Sequence, residues 1–261
     1  ADSMKVLILG ASGMIGSTTF KVLRQSGTLD VWGTLRSSYD RSLFSQTDAL
    51  KLIDGVELTH SDLLPRLYSN LKPDVVVNCA GLTKHRAEAN DPIQNIELNS
   101  ILPHRLAGLC KLAGARLVHV STDCVFQGDK GGYVESDSPD ARDFYGRSKS
   151  MGEIICSPHV ITLRTSTIGH ELKTRYGLLE WFLSLDDNCV GFSRAIFSGL
   201  PTVVFAQIIR DFVLPRTDLH GLYHVAAKPI SKLDLLKTIA RVYKRQIDII
   251  PDGNTVIDRS L

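Results

Sequence analysis

Short apolar runs alternate along this chain with longer stretches of amphipathic spacing. The runs occupy residues 5–9, 31–35, 74–78, 116–120 and 160–163, and the first ends at Gly10. Between them, residues 14–25, 93–112 and 145–155 repeat apolar side chains at intervals of three and four. Uninterrupted short runs are the pattern of strands buried on both faces, and the intervening period is that of helices. Such alternation predicts βαβ units, and right-handed crossovers then build a doubly wound parallel sheet, an α/β fold. Past residue 165 the pattern changes. Residues 177–187 and 201–212 read as helices, 222–225 as a short strand, and 231–243 as a helix capped by Ser231. Glycines and aromatics crowd this part, Trp181, Phe182, Gly191, Phe192, Phe197 and Gly199 among them. The expected organisation is a sheet domain over residues 1–165 and a smaller lobe over 166–261, with some lobe segments returning to the sheet.

Composition narrows the classes of partner. The 261 residues carry 30 Lys+Arg against 28 Asp+Glu, a formal charge of +2, too small a field to predict nucleic-acid or anionic-membrane binding. No apolar run approaches the roughly 18 residues of a membrane span. The opening lacks the pattern of a secretory signal, and Ala1-Asp2-Ser3 ahead of Met4 reads as a cleavage remnant. Five cysteines, Cys79, Cys110, Cys124, Cys156 and Cys189, show no C-x-x-C spacing and read as reduced thiols of a cytoplasmic protein.

Gly10-Ala11-Ser12-Gly13-Met14-Ile15-Gly16 falls between the first strand and the first helix. Glycines in such a turn let backbone approach a pyrophosphate, whose charge sits at the helix N-terminus. A dinucleotide site is therefore expected. An NAD-binding unit usually ends its second strand on an acidic residue for the ribose hydroxyls. Here Arg36, with Ser37 beside it, stands there instead, and a guanidinium fork suits a 2′-phosphate. NADP(H) is the expected cofactor, NAD(H) the alternative.

Tyr145 and Lys149 lie four apart in Tyr145-Gly146-Arg147-Ser148-Lys149, on one face of a predicted helix. An ammonium beside a phenol lowers the phenol pKa, so Tyr145 is expected to be acidified. Ser121-Thr122 ends the preceding strand and offers a hydroxyl partner.

With the loop, the Ser-Thr strand end and the Tyr/Lys pair together, the chain resembles the extended short-chain dehydrogenase/reductases, and within them the dTDP-4-dehydrorhamnose reductase branch. Residues 10–16, Ser61-Asp62-Leu63, 78–83, 121–126, 145–149 with Gly152-Glu153, and Leu163-Arg164-Thr165 carry the likeness. Beyond residue 170 it rests on 221–225 and the terminal Asp258-Arg259-Ser260-Leu261. Chains of this kind usually continue past that segment, so a trimmed or naturally short C-terminus is expected.

The resemblance implies a Rossmann-type NAD(P)-binding domain with a C-terminal substrate lobe, and it implies roles. Tyr145 would donate the proton to a substrate carbonyl, Lys149 would hold the nicotinamide ribose, and Thr122 would bond the same oxygen. Asp62 and Leu63 would meet the adenine, and Cys79, Ala80 and Gly81 would line the ribose and phosphate path. Asn99 would complete a proton relay, or else bond only to backbone, and Thr165 and Ser166 would contact the carboxamide. Related 4,6-dehydratases carry Thr-Asp-Glu where this chain has Thr122-Asp123-Cys124, so the second carboxylate of an elimination is missing. The reductase branch usually has tyrosine at Cys124, which leaves the substrate-facing pair Asp123 and Cys124 distinctive.

The implied function is reduction of a 4-keto-6-deoxy sugar nucleotide for deoxysugar and polysaccharide synthesis. A nucleotide-sugar epimerase and a non-catalytic subunit resembling the regulatory partner of methionine adenosyltransferase are the alternatives. Phe192 and Arg194 are candidates for the nucleotide base and diphosphate, and Lys84 and His85 for the substrate edge. His220 and His224 lack a third ligand and read as structural, so no metal is expected. Gly128, Gly131 and Gly132 suggest a turn able to close on substrate, and Lys232, Lys237, Arg241, Lys244 and Arg245 a solvated basic edge. A homodimer is the base-rate expectation.

Overall fold

In a computed structural model, which describes residues 2–60, 62–81 and 90–261, seven parallel strands form one sheet. They are β1 (Met4–Leu9), β2 (Leu29–Thr34), β3 (Leu52–Ile53), β4 (Val75–Asn78), β5 (Arg116–Thr122), β6 (Val160–Thr165) and β10 (Gly221–Val225), in the order β10-β6-β5-β4-β1-β2-β3. The order reverses between β1 and β4, the crevice where doubly wound sheets take ligands. The alternation of side chains along each strand sorts the core into two layers. Val6, Ile8, Val77, Val118 and Ile161 face α1 (Met14–Arg24) and α8 (Thr202–Ile208), while Leu7, Leu9, Val76, Leu117 and Val160 face α3 (Leu63–Leu71) and α5 (Leu102–Ala113). Helices therefore cover both faces of the Rossmann-type sheet.

The short helices α2 (Gln46–Ala49) and α4 (Pro92–Gln94) join larger elements, and α4 runs through a π-helical segment, Asn95–Ile101, into α5. The continuous helix predicted over 93–112 is thus widened at its middle. Pro103 has no N–H to give the Asn99 carbonyl four residues back, which is where the turn opens. Helix α6 (Phe144–Met151) stops earlier than the expected residue 155; Gly152 follows it, with a Cβ position that would overlap the Asn99 carbonyl oxygen.

In the lobe, β8 (Asn188–Phe197) lies between β11 (Ile230–Ser231) and β12 (Asp248–Asp258), with α7 (Leu178–Leu183) and α9 (Lys232–Val242) packed on one side. Ser231 accepts the Asp234 N–H at 3.1 Å, as its capping reading predicts. A small pair, β7 (Thr167–Ile168) and β9 (Leu200–Pro201), bridges sheet and lobe. Strands β8 and β12 were not expected from the sequence, and β10 belongs to the large sheet beside β6.

Phe20 of α1 and Phe205 of α8 are fully buried in the same cluster. Phe205→Ala should cost about 3–5 kcal/mol of unfolding free energy, read as a lower urea midpoint with an unchanged m-value.

Candidate functional site

At the end of β1 the chain turns at Gly10 with φ +76°, where a Cβ would stand 2.9 Å from the Ala80 Cα. A Cβ on Gly16 would overlap the Gly10 carbonyl oxygen. The loop, the start of α1 and the segment after β4 are thereby drawn closer than side chains allow. Helix α1 begins at Gly13 with no side-chain cap and no acidic residue in its first turn. Its first amides, at the positive end of the helix dipole, form a fitting cradle for a pyrophosphate. Asn78 Oδ1 accepts the Ala80 N–H at 3.1 Å, and the Asn78 amide meets His119 Nδ1 at 3.2 Å, which fixes the opposite wall.

Two cavities continue from this loop along one wall of Met14, Ile15, Cys79, Ala80 and Gly81. The first, about 240 Å³, runs past Gly10, Ser12 and Gly13 to Thr34, Arg36 and Asp40. Arg36 is exposed at its edge, and Asp40 is already paired with Lys173 at 2.8 Å. Ser37 lies off this wall and caps the next turn by accepting the Tyr39 N–H at 3.3 Å. Glu57 and Leu58 line the far end, in place of the expected Asp62 and Leu63. Those two open α3, beyond the loop that leaves the carboxyl end of β3, and Asp62 is exposed.

The second cavity, about 230 Å³, gathers Thr122, Tyr145, Lys149, Thr165 and Ser166. Thr122 and Thr165 are register partners at the ends of β5 and β6, and α6 carries Tyr145 and Lys149 on one face. Lys149 is buried, and its Nζ donates to the Val120 carbonyl at 3.1 Å. Burial brings its pKa down to about 8, with the charge of Glu153 the largest influence supporting the ammonium. Tyr145 moves the other way from the expectation. Burial, then the nearby Cys124, push its pKa above the ordinary phenol range, Asp123 and Asp143 add to this, and a hydrogen bond with Thr122 opposes it. The protein alone thus keeps the phenol protonated, because removing it from water outweighs the Thr122 hydrogen bond. Burial likewise lifts Cys79 to about 12.

Asn99 is buried on the π-helical segment. Its amide donates to Asn95 Oδ1 and Ser148 Oγ, both at 3.1 Å, and its Oδ1 would stand 2.9 Å from a Cβ on Gly81. It therefore joins side chains under the cleft and is more than a backbone-bonded helix residue.

A third cavity, about 510 Å³, opens towards the lobe and shares Met14, Asp123, Cys124, Ser166, Tyr176 and Gly177 with the second. Its remaining wall includes Trp181, Phe197, Lys232 and Arg259. Phe192 and Arg194 do not line it. They precede the cleft end of β8 by several residues, and Arg194 lies about 10 Å along the strand from Phe197. Lys232, read as part of a solvated edge, faces the cavity instead. Lys84 and His85 fall outside the described residues. The glycine turn is clasped by the C-terminal segment: Asp258 N–H to Gly128 O, Gly132 N–H to Ser260 Oγ and Tyr133 N–H to Ser260 O are each 2.8 Å. His220 and His224 part company, the first exposed, the second meeting Arg164 Nη1 at 3.2 Å. Arg259 and Glu153 were quoted only as motif positions, and nothing in their spacing announced a place at the site.

The family profile described as RmlD substrate binding domain matches residues 4–251. A dTDP-4-dehydrorhamnose reductase of Aggregatibacter actinomycetemcomitans is 29% identical over 241 residues, 86% of this chain and 74% of that protein. Methionine adenosyltransferase 2 subunit beta of Mus musculus is 30% identical over 151 residues, 58% of this chain and 42% of that subunit, so the chain spans less than half of it. The dTDP-4-dehydrorhamnose reductase of Bacillus anthracis, solved in complex with NADP, superposes with a TM-score of 0.77 at 22% identity, covering 97% of this chain and 85% of that one.

Because Lys149 is protonated up to pH 10.5 when unfolded but only to about 8 when folded, its burial costs stability below pH 8 and the cost fades as pH rises to 10.5. Lys149→Met should therefore stabilise the protein at pH 7 by up to about 3 kcal/mol, with the gain shrinking towards pH 10 in paired urea titrations.

Proposed function

The chain belongs to the RmlD substrate binding domain family, and on that premise we propose that it is an NADP(H)-dependent reductase of a 4-keto-6-deoxy nucleotide sugar. Its place would be the cytoplasm, supplying a deoxysugar for polysaccharide or glycan synthesis. The observation that carries the reading is the meeting of Thr122, Tyr145 and Lys149 in one cavity that continues the glycine-loop groove.

The groove fits a dinucleotide with the loop residues Gly10, Ser12, Gly13, Met14, Ile15 and Gly16 at its pyrophosphate. Arg36 serves a 2′-phosphate, since the Asp40 carboxylate in the same cavity is engaged by Lys173. Cys79, Ala80 and Gly81 line the path to the ribose, Lys149 and Asn99 lie beneath it, and Thr165 and Ser166 face the carboxamide. When bound, the nicotinamide supplies the hydride. Tyr145, held protonated, gives its proton to the carbonyl oxygen, and the Thr122 hydroxyl bonds the same oxygen as charge develops there. Lys149, charged below pH 8, steadies the negative charge left on the phenol.

The substrate lies in the third cavity against Asp123 and Cys124, with Lys232 and Arg259 towards its diphosphate and Trp181 and Phe197 as its apolar wall. Asp123 has no second carboxylate beside it on the strand end, which favours reduction over elimination. The assembled hydroxyls and lysine favour an enzyme over a non-catalytic subunit. A second copy would cover the exposed Ile96, Ile101 and Met151 of a homodimer.

Tyr145→Phe should lower kcat by about 100-fold or more while NADPH affinity, read by fluorescence, stays within twofold. The wild type should oxidise one NADPH per keto sugar nucleotide; an epimerase would show no net oxidation, and a fully active Phe variant would overturn the assignment. Arg36→Ala should weaken NADPH binding about tenfold or more and leave NADH binding unchanged, as direct titration of both cofactors would show.

A further inference from the structure

Behind the cleft floor lies a buried polar cluster that the reaction as described does not use. Glu153, just past the end of α6, and Arg164 of β6 have side chains only 5% and 3% exposed. Glu153 Oε2 accepts from Ser121 Oγ at 2.7 Å and from Arg164 Nε at 2.8 Å, and its Oε1 accepts from Arg164 Nη2 at 2.9 Å. The guanidinium lies 5.0 Å over the Phe126 ring, and its Nη1 meets His224 Nε2 at 3.2 Å. His224 Nδ1 in turn reaches the Tyr133 carbonyl at 3.2 Å.

Ser121 and Arg164 are opposite each other in the sheet register, and the next pair along is Thr122 and Thr165. One carboxylate therefore clamps the penultimate residues of the two strands whose last residues line the reaction cavity. The same residue follows Lys149 by four positions, just past the end of α6, and its charge acts on the Lys149 ammonium. We infer that Glu153 is a positioning residue of this site, tying down the Thr122 and Thr165 strand ends and acting as counter-charge to the Lys149 ammonium. The inference rests on the reading of the cleft as a reductase site.

A buried ion pair is poor insurance for stability, since apolar residues of similar volume often serve as well. Its retention here is explained by charge. Lys149 is faced by Cys79 after β4, Cys124 after β5, His119 on β5, and Tyr145 and Glu153 from its own helix end. The Cys79 thiol and the Tyr145 phenol keep their protons, and burial holds His119 neutral. Of the carboxylates here, Glu153 supports the ammonium more than any other group does, while Asp123, which lines the same cavity, acts on the Tyr145 phenol. Losing it removes the main reason for Lys149 to stay charged near neutrality.

The test follows Lys149 directly, through the ¹³Cε resonance of labelled lysine assigned by its loss in Lys149→Met. The wild-type resonance should titrate near pH 8. In Glu153→Gln the midpoint should fall by about one pH unit or more, and the alkaline limb of NADPH turnover should move with it. Glu153→Asp should restore most of both. The double variant Glu153→Gln, Arg164→Met removes the stranded guanidinium and should show the same downward shift in a stably folded protein. A Lys149 midpoint unchanged in both the single and the double variant would overturn the inference, leaving Glu153 a merely structural partner of Arg164. A displaced resonance in a protein that turns over no keto sugar nucleotide would support the charge relation and overturn the substrate reading alone.

Discussion

Removing an ammonium from water costs several kcal/mol, and Lys149 is 6% exposed, so its surroundings have to offset that loss or the chain would neutralise it. The Val120 carbonyl accepts a hydrogen bond from it, and Glu153 answers its charge. These partners come from the sheet and from the end of the helix that bears it, so the cleft is built where they converge. The helix itself is seated closely. Gly152 leaves room for the Asn99 carbonyl, and Ser148 bonds to the Tyr145 carbonyl at 2.9 Å within a net that includes Asn95 and Asn99. Tyr145 and Lys149 are thus held by a helix that has little freedom to roll.

The parts of the fold that were legible in the sequence are those whose side chains answer to one environment. Strands covered on both faces are apolar over most of their length, which is why β1, β4, β5 and β6 stood out as short runs in spite of the buried His119 on β5 and Arg164 on β6. The glycine loop was legible because backbone contact leaves no room for Cβ at Gly16. Strands β8 and β12 were not legible in this way. Strand β8 does alternate, with Asn188, Val190 and Arg194 exposed around Cys189, Gly191 and Ala195, but those buried positions are small residues that give little apolar signal, and the pairing of β12 with it is broken by a register shift between Asp252 and Val256.

The site divides in the same way. Spacing along one helix tells that Tyr145 and Lys149 are neighbours, but it carries no information on how deeply they are buried, and burial decides the sign of the Tyr145 shift. Lys232 reads as solvent-facing from its own helix, yet a cavity between two elements depends on how those elements pack. The first cavity reaches Glu57 and Leu58 rather than Asp62 and Leu63, and a strand of two residues, β3, gives almost no pattern from which to judge where its carboxyl end falls. Fold alone does not assign chemistry. The likeness to both a reductase and a regulatory subunit illustrates that.

Strand β10 lies parallel to β6 at the sheet margin, with Val225 opposite Thr165. The chain therefore departs for the lobe at the end of β6, comes back to build β10, and departs again one strand away. Two exits so close together, with the chain end after β12 fastened to the turn at Gly128–Gly132, mount the far wall of the substrate cavity on the same sheet margin that carries Thr122 and Thr165. The two sides of that cavity thus share one foundation of paired backbone, and their spacing is written into the sheet itself.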